Sequence, residues 1–507
     1  MDKITLLLIG ETDWEEVYNL PSNVECECWE EFSSPSVKPY EVTVWDRNPV
    51  KKELEALYQS ITAYTLFLME DVTLSNEAKE LFEAKKGRIL KRENIQEFLL
   101  KDIQYFFPKP YGEKFKPENL AVSHRFKGKV SWSGQYALNL QGSYGDEMGQ
   151  IAYWRNRIPV FAGQTLDLWL EYKKSPDVEV ELVVSRFNAG SVDEILAQEH
   201  FSEQDLNNVV RIEGGASNIY VFFSVCAKGE GDLQIIALHD RLSRGDYGYF
   251  VPGGERFVTS NKEEFFCYFN PMDRKPPLNV YFSGYKTKQG FEGQFLMNKM
   301  GSPYLLVAEP RLEGGAFYMG SEEYEQLMAD TIRSYMVKLG FRPDDVILAG
   351  ISMGSTGAAY YGCDLKPHAL LLGKPLMSCG DIAENEQLFR PGGFPTSLDV
   401  LQFIMGDSSH EAATKLNDKM WKRFENVNWT KTKIIASYMI EDDYDDTAYE
   451  KLVARIQKPG IELYGRGLHG RHNDNSGGIV SWFVSQLRKM LTEDFGRKFE
   501  DLDGDES

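Results

Sequence analysis

The stretch that decides the fold is residues 346–359, which have the sequence VILAGISMGSTGAA. An apolar run that predicts a buried strand is followed by Gly-x-Ser-x-Gly and then by small residues that begin a helix. Gly350 and Gly354 leave room for a sharp turn, which presents the Ser352 hydroxyl at the N-terminus of that helix. The pattern predicts a serine nucleophile. The alternative is a tight strand-to-helix turn in an ordinary α/β domain.

Strand and helix patterns alternate on both sides of this turn, over residues 255–492. Apolar runs such as 278–282 and 434–440 predict buried parallel strands. A stripe of apolar residues at helical spacing over 324–339 predicts an amphipathic helix. Together with the serine turn, this alternation predicts a doubly wound, α/β-hydrolase-like catalytic domain.

Two further regions precede the predicted catalytic domain. Residues 1–115 alternate short apolar strands with amphipathic helices, which predicts a small α/β domain. Residues 116–250 contain several short strands separated by turn residues, which predicts a β-sandwich with carbohydrate or partner binding as its candidate role. Tyr153, Trp154 and Trp169 of this region could stack on sugar rings, but burial in the core is the favoured interpretation. Seven acids and two bases in 493–507 predict a solvated acidic tail.

The composition excludes several classes of protein. The chain has 507 residues, of which 42 % are hydrophobic, so it can form sizeable cores and is not intrinsically disordered. A net charge of −21 argues against a nucleic-acid binder. The apolar runs are shorter than the ~20 residues of a membrane span. No secretory signal pattern is present at the N-terminus and the six cysteines form no CxxC pair, so a reducing cytoplasm and no metal site are expected.

A serine nucleophile requires a general base and an acid that orients the base, and in this fold class the chain order is Ser, acid, His. The predicted strand 434–440 is followed directly by the sequence EDDYDD at 441–446. The triad acid is expected just past the end of this strand. We assign Asp442, with Glu441 and Asp443 as rivals that periodicity does not separate. The alternative is that these acids form a solvated or cation-binding turn.

The general base is expected in the loop before the last helix, where residues 465–475 have the sequence GRGLHGRHNDN. His472 is the preferred base, because the Asn-Asp-Asn segment that follows it can brace a catalytic loop. His469 is the second candidate. It would support the base or contact the substrate, and Asn473 would also support the base.

Stabilisation of an oxyanion requires two backbone N–H donors. The residue after the nucleophile, Met353, supplies the first donor. The second comes from the loop after an earlier strand, and residues 282–285, with the sequence FSGY, end the first strand of this domain. Gly284 or Tyr285 is therefore expected to supply the second donor. The alternative for Gly284 is a simple turn.

The combination of FSGY at 282–285, GISMG at 350–354 and GRHNDN at 470–475, behind two N-terminal regions, resembles a known family. This is the family of the second accessory Sec system protein, from the streptococcal and staphylococcal pathway that exports serine-rich-repeat adhesins. The resemblance extends over the whole chain. It implies an O-acetyltransferase that modifies N-acetylglucosamine already attached to Ser or Thr residues of the adhesin.

The resemblance also implies roles for the site residues and a set of partners. Ser352 would be acylated, His472 would transfer the proton, and an acid near Asp442 would orient His472. The partners would be the first and third accessory Sec proteins, the motor ATPase with its channel, and the glycosylated adhesin. The protein would be cytoplasmic and would reach the membrane only through these proteins. No coenzyme A loop is recognisable, so no bound cofactor is predicted and the acetyl donor stays open.

Two other functions are compatible with the same sequence. A carbohydrate esterase would use the same triad to remove acyl groups. A scaffold of the export complex would contain an inactive hydrolase-type domain, and substitution of Ser352 or His472 would then leave the adhesin chemistry unchanged. Because all three residue types of a triad occur in the expected order, we favour an active enzyme.

Overall fold

The computed structural model describes residues 2–12, 14–29, 38–190, 194–388, 394, 396–456 and 460–499. The predicted acidic tail lies outside the described residues from position 500 onwards. The chain forms two compact units: Met1–Glu255 with Lys288–Gly290, and Arg256–Thr287 with Phe291–Ser507. None of the described helices is long and apolar enough to cross a membrane. The mixed α/β fold class predicted from the sequence is confirmed.

Strands alternate with helices in the first part of unit one. The described elements are β1 (Ile4–Ile9), α1 (Trp14–Val17), β2 (Val24–Trp29), β3 (Val42–Trp45), α2 (Lys51–Ser60), β4 (Leu66–Met69), α3 (Asn76–Ala84), β5 (Arg88–Leu90) and α4 (Ile95–Leu100). The strands pair in parallel in the order β2-β1-β3-β4-β5. Leu6 and Leu8 pack in one core while Leu7 and Ile9 pack in another, as expected for a parallel sheet that is covered on both faces.

The second part of unit one is built from antiparallel strands. They are β6 (Gly112–Phe115), β7 (Leu120–Val122), β8 (Lys129–Ser133), β9 (Ala137–Trp154), β10 (Ile158–Val160), β11 (Thr165–Lys174), β12 (Val178–Asn188), β13 (Ile195–Phe201), β14 (Val210–Glu213), β15 (Ile219–Leu242), β16 (Gly248–Tyr249) and β17 (Val251–Pro252). The described strands β6 to β15 form one hydrogen-bonded sheet, in which the long strands β9 and β15 pair with each other. Trp154 and Trp169 are 0 % and 1 % exposed, so their rings are packing residues rather than a surface for sugar stacking.

Unit two contains the serine turn. Its described elements are β18 (Gly254–Val258), β19 (Glu264–Asn270), β20 (Leu278–Phe282), α5 (Gln294–Met300), β21 (Tyr304–Ala308), α6 (Glu322–Leu339), β22 (Val346–Ile351), α7 (Met353–Leu365), β23 (Ala369–Gly373), α8 (Cys379–Leu388), α9 (Ser397–Met405), α10 (His410–Glu425), β24 (Lys433–Met439), α11 (Ala448–Arg455), β25 (Leu463–Leu468) and α12 (Ser476–Glu493). Strand β18 begins at the end of unit one and continues into unit two.

The sheet of unit two brings three separate chain segments to one edge. Its strand order is β18-β19-β21-β20-β22-β23-β24-β25, and every neighbouring pair from β21 to β25 is parallel. The carboxyl ends of parallel strands lie at the same edge of a sheet, where ligands bind in α/β folds. Ser352 follows β22, Asp442 follows β24 and His472 follows β25, so all three lie at that edge.

Candidate active site

Ser352 lies at the sharp turn between β22 and α7, with φ 56° and ψ −125°. A positive φ is unusual for a residue with a side chain, and it raises the hydroxyl out of the turn. A Cβ atom on Gly350 would lie 2.2 Å from the Gly354 backbone, and one on Gly354 would lie 2.1 Å from the Phe282 carbonyl oxygen. Both positions therefore require glycine. The Ser352 N–H donates to the Gly373 carbonyl over 2.8 Å, which fixes the turn to β23.

A chain of two hydrogen bonds connects the serine, the histidine and one acid. Ser352 Oγ donates to His472 Nε2 over 2.8 Å, and His472 Nδ1 donates to Asp442 Oδ2 over 2.8 Å. His472 is 2 % exposed and Asp442 is 8 % exposed. Hydrogen bonds between buried groups are electrostatically stronger than the same bonds in water, so this arrangement holds the imidazole in one orientation.

Asp442 is held in its ionised form by its neighbours. Burial acts to raise the pKa of its carboxyl, but the hydrogen bond and charge of His472 oppose this effect. The N–H groups of Tyr444 and Asp445 donate to Oδ1 over 2.8 and 3.2 Å, and these bonds also lower the pKa of the carboxyl. The net result is a lowered pKa. Asp442 can therefore stabilise a positive charge that forms on His472.

The two rival acids have other partners. Glu441 accepts hydrogen bonds from His469 Nδ1 over 2.9 Å and from the Gly470 N–H over 2.6 Å. The His469 side chain is 84 % exposed, so it pairs with Glu441 at the surface and does not support the base. Asp443 accepts the backbone N–H of His472 over 3.1 Å. Among the three acids, Asp442 is the one whose carboxylate reaches the His472 imidazole.

An aromatic ring that no sequence pattern predicted lies against the base. Tyr444 stacks on the His472 imidazole, and Asn473 Nδ2 donates to the Tyr444 hydroxyl over 3.1 Å. Asn473 therefore supports His472 indirectly, through Tyr444. The one available signal was the position of Tyr444, two residues after Asp442 in a loop of acids.

The predicted oxyanion donors have different environments. Met353 is the first residue of α7, where the N–H groups have no partner within the helix. The Gly284 N–H donates to the Glu292 carboxylate over 2.8 Å, so this donor is occupied. Tyr285 then becomes the candidate for the second donor. No sequence pattern pointed to Glu292.

The geometry is suited to nucleophilic catalysis. His472 Nε2 can take the proton of Ser352 as the oxygen attacks a carbonyl carbon, and Asp442 balances the resulting charge. The described residues contain no cluster of three or more His, Cys, Asp or Glu side chains that could hold a metal ion. The chemistry that these residues can perform is acyl transfer to and from a serine.

A protein-family model matches nearly the whole chain. The family model described as "Asp2: Accessory Sec system GspB-transporter" matches residues 4–497 (Asp2 is here a protein name and not the second residue). Two relatives are named "Accessory Sec system protein Asp2". The relative from Staphylococcus aureus (strain NCTC 8325 / PS 47) is 36 % identical over 510 residues, with 98 % of each chain covered. The relative from Streptococcus gordonii is 34 % identical over 514 residues, with 98 % of this chain and 99 % of the relative covered.

A solved structure is similar over the same length. It is titled "Glycosylation Associate Protein (Gap123) complex from Streptococcus agalactiae". The matching chain is 34 % identical, and 98 % of this chain and 99 % of that chain are covered with a TM-score of 0.86. The similarity thus includes both units of the chain.

Proposed function

This chain belongs to the Asp2 family of accessory Sec system proteins, and we propose that it O-acetylates N-acetylglucosamine on serine-rich-repeat adhesins and supports their export. The observation that carries this proposal is the pair of hydrogen bonds that connects Ser352 through His472 to Asp442. Such a connection activates a serine for attack on an acyl group. The sugar acceptor and the adhesin come from the family resemblance.

In the first half of the reaction, Ser352 Oγ attacks the carbonyl carbon of an acetyl donor while His472 Nε2 takes the hydroxyl proton. The negative charge that forms on the carbonyl oxygen is stabilised by the Met353 N–H and by a second N–H from the loop after β20. The tetrahedral intermediate then collapses, the donor's leaving group departs with the proton from His472, and acetyl-Ser352 remains.

In the second half, a sugar hydroxyl attacks the carbonyl carbon of acetyl-Ser352 and gives its proton to His472. Collapse of the second tetrahedral intermediate transfers the acetyl group to the sugar oxygen and returns the proton to Ser352. Transfer prevails over hydrolysis when the site holds the acceptor and limits water. The burial of His472 and Asp442 supports limited access of water.

We place this activity within a protein complex. The similar Streptococcus agalactiae chain comes from a structure whose title names a complex of glycosylation-associated proteins. This title supports a partnership with the first and third accessory Sec proteins. The motor ATPase, its channel and the adhesin are further partners that the family resemblance implies, and the proposed location is the cytoplasm. The similarity to a chain from a protein complex also favours a second candidate function, a scaffold without catalysis.

The test is the intact mass of the glycosylated adhesin from cells that carry the wild-type chain, Ser352→Ala or Ser334→Ala. Ser334 is exposed on α6 and supplies the matched control. We expect acetyl-sized mass increments with the wild type and with Ser334→Ala, and none with Ser352→Ala. Identical adhesin masses in all three strains would leave the scaffold function. A gain of acyl groups with Ser352→Ala would identify an esterase.

A further inference from the structure

The buried ammonium group of Lys374 lies against the loop that contains His472. It directly follows β23, its φ is 46°, and it is 4 % exposed. Its Nζ donates to the His472 carbonyl over 2.5 Å, to the Asp474 carbonyl over 2.8 Å and to Ser476 Oγ over 3.1 Å. A lysine ammonium has three N–H donors, so all three are used by one short segment of chain.

The three acceptors of this ammonium are neutral, so burial of its charge costs free energy that no directly bonded carboxylate offsets. Burial lowers the pKa of Lys374, and the charges of Asp442 and Asp474 act against that effect. A buried charge on neutral acceptors persists only when its hydrogen bonds are well formed. The segment 472–476 is therefore held by all three bonds at once. It carries His472 and the first residue of α12.

Gly373 and Lys374 also contact the two other parts of the site through their backbones. The Gly373 carbonyl accepts the Ser352 N–H over 2.8 Å. The Lys374 N–H donates to the Ser437 carbonyl of β24 over 2.7 Å, and β24 leads into Asp442. Residues 373 and 374 thus connect the nucleophile turn, the strand that carries the acid and the loop that carries the base.

We propose that Lys374 is a positioning residue, which holds His472 within reach of Ser352. The kinetic part of this inference rests on the proposed function; the position of the imidazole does not. Lys374 Nζ bonds the backbone of His472 and lies outside the chain of proton-transferring groups, so it acts through His472.

The other contacts of His472 hold its ring and its backbone N–H. Asp442 binds Nδ1, Asp443 accepts the backbone N–H, and the Tyr444 ring stacks on the imidazole. Lys374 Nζ binds the His472 carbonyl, so it fixes the backbone from which the imidazole projects.

The principal variant is Lys374→Met, which keeps the length of the side chain but removes its charge and donors. The assay is hydrolysis of p-nitrophenyl acetate by the full chain, measured as kcat and KM. We expect kcat to fall about 10- to 100-fold, since small misplacement of a catalytic group has costs of this size. KM should stay unchanged.

Two further variants separate a positioning role from a merely structural one. Lys85 is also a buried lysine, 8 % exposed, whose Nζ donates to the Tyr58 carbonyl over 2.6 Å in unit one. Lys85→Met should leave kcat and KM in place. Lys374→Arg keeps the charge, but a planar guanidinium does not fit three converging acceptors. This variant should lower kcat with KM unchanged, and it carries the test if Lys374→Met does not fold.

A measurement without catalysis keeps the two proposals distinguishable. The full chain has seven histidines, and ¹⁵N-histidine NMR detects the His472 Nδ1–H that bonds Asp442, with His472→Gln for assignment. Loss or an upfield shift of this N–H signal in Lys374→Met supports the inference even if Ser352 proves inactive. An unchanged N–H signal would overturn it. Full activity of Lys374→Arg would also overturn the requirement for the three hydrogen bonds that the ammonium donates.

Discussion

The phenol ring of Tyr444 lies nearly flat on the imidazole of His472, with ring centroids 4.4 Å apart and an interplanar angle of 21°. The face of an aromatic ring carries a partial negative charge and stabilises a cation above it. During acyl transfer the imidazole becomes an imidazolium, so the ring stabilises the state that forms after proton transfer. Tyr444→Leu should therefore lower kcat about 3- to 30-fold. The measurement is kcat for hydrolysis of p-nitrophenyl acetate.

The control for this prediction is another stacked pair in the same unit. Tyr438 and Tyr449 have centroids 4.1 Å apart and an interplanar angle of 11°. Tyr449→Leu removes a comparable stack and should leave kcat in place. Tyr444→Phe keeps the ring and should retain kcat as well. A higher kcat in Tyr444→Leu would mean that the ring disfavours the imidazolium.

The assignment of Asp442 as the triad acid predicts a large difference among three neighbouring carboxylates. Asp442→Asn removes the negative charge from His472 Nδ1, and loss of such a charge costs on the order of 10²- to 10⁴-fold in rate. Asp443→Asn and Glu441→Gln each keep an oxygen that can accept a backbone N–H, so their rates should stay within about threefold of wild type. The measurement is the rate at which a fluorophosphonate probe labels Ser352. Equal losses in Asp442→Asn and Asp443→Asn would contradict the assignment.

The sequence predicted the serine turn because the constraint is local. An apolar strand, two glycines around a serine and a small-residue helix start occupy fourteen consecutive positions. The order of acid and base followed from the fold class. The choice among Glu441, Asp442 and Asp443 did not, since three consecutive acids share one local pattern. Each finds a different partner only when β24 and β25 lie side by side.

Glycines misled the prediction of strands in both units. Residues 465–468 were expected in a loop, yet β25 runs from Leu463 to Leu468 as an edge strand, because its pairing with β24 overrides the low strand propensity of Gly465 and Gly467. Short strands separated by turn residues were expected in 116–250, yet residues Ile219–Leu242 form the single long strand β15. Gly229 within it takes a positive φ value where the pairing with β9 shifts register.

The buried carboxyl of Asp445 should make the stability of the wild type depend on pH. Burial raises the pKa of its carboxyl to about 6, although Oδ2 accepts the N–H groups of Met377 and Ser378 over 2.7 Å each. Its Oδ1 is buried with no hydrogen-bond partner among the described residues. The folded state therefore holds its proton to a higher pH than the unfolded state does. The cost of the buried charge appears as the pH rises from about 4 to 6 and is complete above that range.

Asp445→Asn keeps an acceptor oxygen but cannot ionise. Relative to wild type, its free energy of unfolding should improve by about 1 to 3 kcal/mol between pH 4 and pH 7. Urea unfolding at a series of pH values measures this difference. Asp445→Ala removes the acceptor altogether and should be less stable than wild type at every pH. A constant difference between Asp445→Asn and wild type would show that Asp445 does not titrate in this range.

The hydrogen bond from Gly284 to Glu292 indicates which backbone N–H completes the oxyanion site. Its carboxylate accepts the Gly284 N–H over 2.8 Å, and its own N–H donates to Ser283 Oγ over 3.1 Å. These two bonds brace the loop after β20 and occupy Gly284, so we expect Tyr285 and Met353 to donate to the oxyanion. Loss of the brace should misplace the Tyr285 donor. Glu292→Ala should then lower kcat about tenfold, with KM unchanged.

The opposite outcome is equally informative about the same loop. If Gly284 is the true oxyanion donor, the Glu292 carboxylate blocks it, and Glu292→Ala would raise kcat by freeing the N–H. Glu292→Gln separates the two cases, because its amide oxygen still accepts from Gly284 but carries no charge. A brace needs only the acceptor, so Glu292→Gln should retain most of the activity. A block by a negative charge is weakened in Glu292→Gln, whose activity would then lie above that of the wild type.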